Sequence, residues 1–381
     1  MTSTAVSRIL VVGCGFAGAT IARVLADAGQ EVDVIDQRRH VGGNAFDQVD
    51  RNGIRIHRYG PHLFHTSNKK VVDWLGRFGK FIPYEHRVQA LLPDGRCVGL
   101  PVNRTTINDV FGVSLPDGDA VRAFLRRQAA LIPAPANAAE FLAASIGTQL
   151  TDLFFRPYTR KMWGLELENL DVSVVKRIPL RFDDEDRYFP DDTWQLLPRF
   201  GYTRVFENIL DHERIRLMLN EPFHPSMLPG YVHCFNSMPI DVFFDEHFGP
   251  LPYRSIRFHH HTVSFDHLNG TAPTINFTDD SRFTRATDWS LLPFHVAERG
   301  KTKTVTVEEP CDYIDNDYER YYPVKTSDGR YQAVYEQYRR LAAGIPDMTF
   351  IGRCGTYQYL DMHQVINQSL IRAAEWLAQA C

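Results

Sequence analysis

The sequence predicts an α/β fold: a parallel-sheet domain of βαβ construction, interrupted by an inserted helical bundle and an inserted antiparallel sheet domain. Three observations carry this. A glycine-rich turn lies between two short, wholly apolar segments near the N-terminus. The stretch from about Asn108 to Val175 is alanine-rich and helical in composition. Residues Tyr253 to about Val307 alternate apolar with polar, in pieces such as Thr-Val-Ser-Phe and Thr-Ile-Asn-Phe.

Ile9–Val12 is a continuous apolar run, as a strand buried on both faces should be. Ala19 to Ala28 is helical by composition, and Val32–Ile35 is a second buried strand. Between the strands, Gly13, Gly15 and Gly18 form G-x-G-x-x-G at the start of the helix. The first glycine permits a tight turn, the second lets the backbone approach a pyrophosphate, and the third lets helix pack on strand. The helix N-terminus offers unpaired N–H groups and a positive dipole end to phosphates. Asp36 ends the second strand, where a carboxylate can accept hydrogen bonds from a ribose. The unit is therefore expected to be Rossmann-like and to bind a dinucleotide. The motif leaves NAD and FAD open. Gly42 and Gly43 make a second glycine turn just past the acid, which resembles the glutathione-reductase-like flavoproteins.

"YGPHLFHT" holds His62 and His65, whose spacing would suit a metal only on a helix. Gly60-Pro61 argues against a helix, and no carboxylate completes a site, so no metal is expected. Phe81–Gly99 alternates and turns at Pro93-Asp94-Gly95. Pro133 and Pro135 break the helical stretch. Alternation puts two of His259–His261 on one face and one on the other, on a strand expected to be solvated. Ile351–Gly352 reads as a last strand, and Asp361 to Ala380 as one amphipathic helix. The domain boundaries expected are 1–78, 202–245 and 350–381 for the dinucleotide domain, 101–175 for the helical insert, and 79–100, 176–201 and 246–349 for the antiparallel sheet domain.

The 381 residues are 44% hydrophobic, enough for two or three domains. The net charge of −4 gives no basic field for nucleic acid or an anionic membrane. Any bound anion must be held by a few placed arginines. No apolar run is long enough to span a bilayer, and the N-terminus lacks a secretory signal. The six cysteines (Cys14, Cys97, Cys234, Cys311, Cys354, Cys381) are scattered without a CxxC pair. They read as reduced thiols of a cytoplasmic protein.

Eight segments occur in order: "GCGFAGA", "IDQRRHVGGNAFD", "YGPHLFHT", "FFRPYTRKMWG", "VVKRIPLRF", "FTRAT", "RYYPV" and "GRCGTYQYLDM". Together they resemble the bacterial UDP-galactopyranose mutase family, from end to end of the chain. The resemblance implies an FAD-binding Rossmann-like domain and an isomerase that interconverts the pyranose and furanose forms of a nucleotide-linked sugar without net oxidation. It implies that reduced FAD attacks the anomeric carbon through N5, displaces the nucleoside diphosphate, and carries the sugar while its ring opens and recloses. Arg177 and Arg285 match the family's active-site arginines, and a guanidinium can grip phosphate through two N–H groups. Tyr188, Tyr322 and Tyr359 match tyrosines whose hydroxyls reach the phosphates. Phe154, Phe155 and Tyr158 match the nucleobase end, and Trp163-Gly164 the start of a mobile loop. Asn276 and His86 fall near the sugar. His62 sits beside the reactive edge of the flavin. Gly43, Asn44, Arg353, Asp361 and Met362 match further flavin contacts, the last two opening a helix whose positive end would stabilise an anionic reduced flavin. The family's bacterial members are often dimers, so a homodimer built through the helical domain is expected.

The sequence departs from the family pattern in places. His86 stands where Asn is usual, and an imidazole is bulkier and can charge near neutral pH. Met238 stands where Gly is usual. "NFTDDSRFTRAT" is one residue short between Asn276 and Arg285, and "ATDWSLL" replaces "ITEHKYF". Ring-contracting chemistry is expected to be kept, on UDP-galactose or a close variant such as a deoxy, amino or acetamido sugar or a dTDP-linked hexose. The rival readings are an amine-oxidase-like flavin oxidoreductase and a non-catalytic nucleotide-sugar binder.

Overall fold

The computed structural model describes residues 8–176, 180–267, 270–296 and 298–380. Along the chain the strands are β1 (Arg8–Val12), β2 (Glu31–Asp36), β3 (Asp47–Val49), β4 (Arg55–His57), β5 (Phe64–Thr66), β6 (Phe81–Pro83), β7 (Val88–Leu91), β8 (Cys97–Leu100), β9 (Trp194–Pro198), β10 (Ile215–Leu219), β11 (His233–Asn236), β12 (Tyr253–Ser264), β13 (Thr274–Phe277), β14 (Arg285–Asp288), β15 (Thr302–Asp312), β16 (Tyr322–Pro323) and β17 (Met348–Phe350).

The first sheet is parallel throughout, in the order β10-β2-β1-β11-β17. Its central strand β1 buries Ile9, Leu10 and Val11 completely, which is why the run reads as unbroken apolar sequence. The helix Phe16–Asp27 covers one face and packs against the C-terminal helix Met362–Ala380. Val12 pairs with Ile35, so Gly13 and Asp36 leave the sheet side by side at its carboxyl edge. That edge is where open α/β sheets bind ligands. The last strand is three residues earlier than expected. Ile351 is buried past its end, but Gly352 takes φ +71° and starts a short helix, Gly352–Thr356, where a Cβ would lie 3.0 Å from Ala17 Cβ.

The second sheet runs β16-β12-β15-β14-β13-β7-β8. Its spine is an eleven-residue antiparallel ladder, Arg254↔Asp312 to Ser264↔Thr302. The hairpin β7–β8 turns at Pro93-Asp94-Gly95 and docks on β13 in parallel, so this sheet is mixed rather than wholly antiparallel. No tight turn links β7 to β13, so nothing local sets their relative direction. His259 and His261 share one face of β12, their rings 6.4 Å apart, and His260 faces the other way toward Thr306. His260 is half-buried and burial pulls it down to about 4, so the strand is less solvated than its composition implies.

Between the hairpin and residue 176 the chain is helical. Arg104–Phe111, Gly118–Gln128 and Ala138–Ile146 are each capped by a side chain, from Asn103, Asp117 and Asn137 respectively. Pro133 and Pro135 fall in the link between the second and third of these helices. A π-helical turn, Thr151–Phe155, runs into Arg156–Trp163. Among the described residues, no helix is long and apolar enough to cross a membrane.

Candidate active site

Two backbone turns meet at the carboxyl edge of the parallel sheet. Gly13 takes φ +92° and its N–H donates to the Ile35 carbonyl at 2.8 Å. A Cβ on Gly18 would lie 1.8 Å from the Gly13 carbonyl oxygen, so only glycine lets the helix come this close. Gly42 and Gly43, both at positive φ, bring the second turn onto the first, and a Cβ on Gly43 would sit 3.1 Å from the Gly15 Cα. Gly15 caps the helix Phe16–Asp27 without any side-chain bond, and no acid lies in its first turn. The result is a side-chain-free cradle at a helix N-terminus, which fits a pyrophosphate.

Asp36 does more than wait for a ribose. One of its oxygens accepts from the Cys14 N–H and the other from the Arg38 N–H, both at 2.9 Å, so the carboxylate also holds the glycine turn in shape. Burial and the adjacent carboxylate push the Cys14 thiol up, keeping it protonated. Asn44 accepts from Arg38 Nη1 at 2.8 Å, and Arg38 also pairs with Glu319 and lies over Tyr59. Beyond them opens a cavity of about 930 Å³, lined by Arg38, Arg39, Tyr59, Leu219 and Asn220 among others.

A second cluster gathers side chains from the other sheet and from the helices. Arg285 opens β14, with Asn276 of β13 opposite it on one side and Glu308 of β15 on the other. Its Nη2 donates to the Tyr158 hydroxyl at 2.5 Å, and its Nε lies 3.1 Å from Glu308 Oε2 without hydrogen-bonding geometry. Asn276 Oδ1 is likewise buried without a hydrogen-bond partner. Burial drives Glu308 up while Arg285 holds it down, and Arg285 itself stays firmly charged among Glu308, Tyr158, Tyr322 and Tyr188. Tyr322 and Tyr359 stack at 5.4 Å, with Trp163 edge-on to Tyr322. Arg353 lies over both tyrosines and donates to the Leu360 carbonyl at 2.6 Å. The Asp361 N–H donates to Gln364 as the C-terminal helix begins at Met362, which packs on the core of the parallel sheet.

His62 lies on the loop between β4 and β5, not on a helix. Its Nδ1 is 2.9 Å from the Gly60 carbonyl, which makes Nδ1 the protonated nitrogen and leaves Nε2 to accept. Burial and the Arg353 charge lower it to about 4. His65 pairs instead with Asp192 at 2.6 Å. His86 is buried, with Nδ1 at 3.0 Å from the Tyr84 hydroxyl and its ring edge-on to Tyr188. Burial and the Arg285 charge pull it down to about 3, so the expectation that His86 charges near neutral pH is corrected: it is a neutral imidazole.

Phe154 and Phe155 pack in the helical core, 7% and 8% exposed. Trp163 ends its helix at Gly164, and Arg254 caps that end by donating to the Met162 and Lys161 carbonyls. Arg177 falls outside the described residues. Three contributors escaped the sequence reading. Glu308 was detectable in hindsight as one of two adjacent acids in an alternating strand: Glu309 points out to His259, so Glu308 must point in. Tyr84 and Arg254 left no such signal.

The glycine cradle marks a Rossmann-like dinucleotide domain, and the arginine-centred cluster beside the second sheet has the charge to hold an anion. Comparison with known proteins narrows the class. The profile described as UDP-galactopyranose mutase matches residues 153–359, and that of an NAD(P)-binding Rossmann-like domain matches 11–78. The chain is 36% identical over 372 residues to a probable UDP-galactopyranose mutase of Klebsiella pneumoniae, spanning 97% of this chain and 95% of that protein. It is 34% identical over 371 residues to the dTDP-fucopyranose mutase of Escherichia coli, spanning 96% and 97%. A crystal structure of reduced UDP-galactopyranose mutase shares the fold, with a TM-score of 0.76 at 17% identity over 98% of this chain and 94% of that one. The chain belongs to the UDP-galactopyranose mutase family and is an enzyme, an isomerase of the nucleotide-sugar mutase class.

Proposed function

We propose that this protein binds FAD and, with the flavin reduced, interconverts the pyranose and furanose forms of a UDP- or dTDP-linked hexose. The observation that carries the reading is Arg285, a half-buried cation whose side chain is 25% exposed, in a cluster with Tyr158, Tyr188 and Tyr322. A diphosphate is the ligand that such a group of donors fits. The glycine cradle at 13–18 and 42–43 would hold the FAD pyrophosphate, and the cavity beside Arg38 and Leu219 its adenosine end. When bound, reduced FAD supplies the nucleophile for the anomeric carbon.

The chain's own residues then have separable tasks. Arg285 neutralises charge as it grows on the departing diphosphate, and Glu308 keeps its guanidinium aimed from the neighbouring strand. Tyr158 shares its hydroxyl with Arg285 and orients the same group. The ring faces of the Tyr322–Tyr359 stack and Trp163 screen the site from water, and the two tyrosine hydroxyls are donors for the diphosphate. His62 presents an unprotonated Nε2, able to accept a hydrogen bond beside the cofactor. Arg177 is proposed as the second phosphate cation from its place in the family motif.

His86 bears on which sugar is taken. A neutral imidazole tied to Tyr84 fills more of the sugar side than Asn and presents one ring nitrogen. Near-equal identity to mutases named for UDP-galactopyranose and dTDP-fucopyranose supports neither carrier over the other. Incubation with dithionite and a panel of UDP- and dTDP-hexoses, followed by chromatography, tests the reading. Furanose product from at least one hexose is expected. Bleaching of the flavin by an amine or alcohol, with no hexose isomerised, would replace the mutase with an oxidoreductase.

A further inference from the structure

We propose that His57 and His295 form an imidazole relay that positions the His62 loop and ties it to the segment carrying Arg285. The geometry is a chain of three hydrogen bonds. The His62 backbone N–H donates to His57 Nδ1 at 3.0 Å. His57 Nε2 lies 3.2 Å from His295 Nε2, and His295 Nδ1 lies 3.0 Å from the Pro293 carbonyl. One assignment satisfies all four ring nitrogens. His57 Nδ1 must accept, so its proton is on Nε2. His295 must donate Nδ1–H to the carbonyl, so its Nε2 accepts from His57. A further proton on either ring, or the other tautomer of His57, sets two N–H groups against each other or drops the bond to His62.

The pair is sealed. His57 and His295 are 1% and 4% exposed, Trp289 lies 4.9 Å from the His57 ring and parallel to His295, and Tyr202 closes a further side of His57. Arg55 is the charged side chain nearby, and its backbone N–H donates to the His295 carbonyl at 2.8 Å. His295 follows β14 after one short helical turn, Trp289–Leu291, so the relay joins the strand that begins with Arg285 to the loop that carries His62. Trp289 belongs to the "ATDWSLL" segment that departs from the family pattern. His57 and His295 are therefore positioning residues, acting through the backbone of His62. That His62 faces the cofactor rests on the function proposed above; the relay does not.

The test is nuclear magnetic resonance of the full-length protein labelled with 15N-histidine, with and without added FAD. The expected result is His57 protonated on Nε2 alone and His295 on Nδ1 alone. His295→Leu should shift the His62 amide and ring signals and lower kcat by about a hundredfold with KM little changed. His295→Gln, whose amide oxygen can accept from His57, should restore both the signals and most of the rate. A proton on His57 Nδ1, unmoved His62 signals in His295→Leu, or a Gln variant as impaired as the Leu variant overturns the relay. If His295→Leu does not fold, the wild-type tautomers and the Gln variant still decide. The expected tautomers in a protein that binds no flavin would leave the relay standing and remove the proposed function.

Discussion

The two ends of the site are made of different material. The dinucleotide end is backbone: two glycine turns in contact, an uncapped helix start, and one carboxylate bracing them. The Arg285 end is side chains, drawn from β13, β14, β15, the helix Arg156–Trp163 and the chain around Tyr322 and Tyr359. A backbone site is broken by adding volume, and a side-chain site by removing charge. Each half should therefore fail in its own way when altered.

The largest effect is expected from Gly18→Ala. Its Cβ would meet the Gly13 carbonyl oxygen at 1.8 Å and Val11 Cγ1 at 2.9 Å, and a backbone oxygen cannot step aside. A loss of about 3 kcal/mol or more in denaturant unfolding is expected, with no bound flavin. Gly15→Ala sharpens the contrast. Its φ is −74° and its Cβ would find its nearest neighbour 3.7 Å away, so the fold should stand while flavin affinity falls. Equal melting losses in the two variants would break the picture of a cradle built for a ligand.

Arg285→Gln tests the other half. The rate should drop by about 10²–10³-fold, as for loss of a group that stabilises charge in the transition state. Flavin content and spectrum should be retained, because nothing in the glycine cradle is touched. Flavin loss alongside activity would mean the two ends are not separable.

The same division explains what could be read from the sequence. The glycine cradle is local: Gly13, Gly15, Gly18, Gly42, Gly43 and Asp36 all lie within residues 13–43, and their spacing dictates the turn. The arginine cluster is not local. Asn276, Arg285 and Glu308 meet only because three strands pair, and Tyr158 reaches them from the helical insert. The resemblance to a family points to Asn276, Arg285 and Tyr158, which spacing alone does not connect, and neither signal points to Glu308. Burial is a further thing that composition does not encode: it holds His86 neutral and packs Phe154 and Phe155 into the helical core. The parallel seam between β7 and β13 was invisible because no short connection encodes it.

Histidine burial predicts a pH signature that, for one histidine over one pH unit, is smaller than these losses. His86 lies at about 3, His62 and His295 at about 4, all below the ordinary value near 6.5. Between those limits the unfolded chain holds protons that the folded chain does not. Stability from these groups is thus complete above about pH 6.5 and is lost as pH falls toward 4, by about 1 kcal/mol per pH unit for each histidine. His86→Asn should flatten that slope by one proton in unfolding titrations. An unchanged slope would contradict a buried neutral His86.

The smallest stability effect also comes from His86→Asn, within about 1 kcal/mol at pH 7, since Tyr84 can bond an amide in its place. The informative readout is the order of preference across the hexose panel. An order identical to the wild type would remove His86 from substrate selection.

On the function proposed above, the flavin held by this Rossmann-like domain serves an isomerisation with no net oxidation. The direct measurement is turnovers per reducing equivalent: reduce the flavin stoichiometrically without oxygen, add the nucleotide hexose, and count furanose formed against electrons consumed. Many turnovers per flavin, with the flavin still reduced at the end and no product from the oxidised enzyme, is the predicted result. One product per two electrons, or equal turnover by the oxidised enzyme, would contradict it.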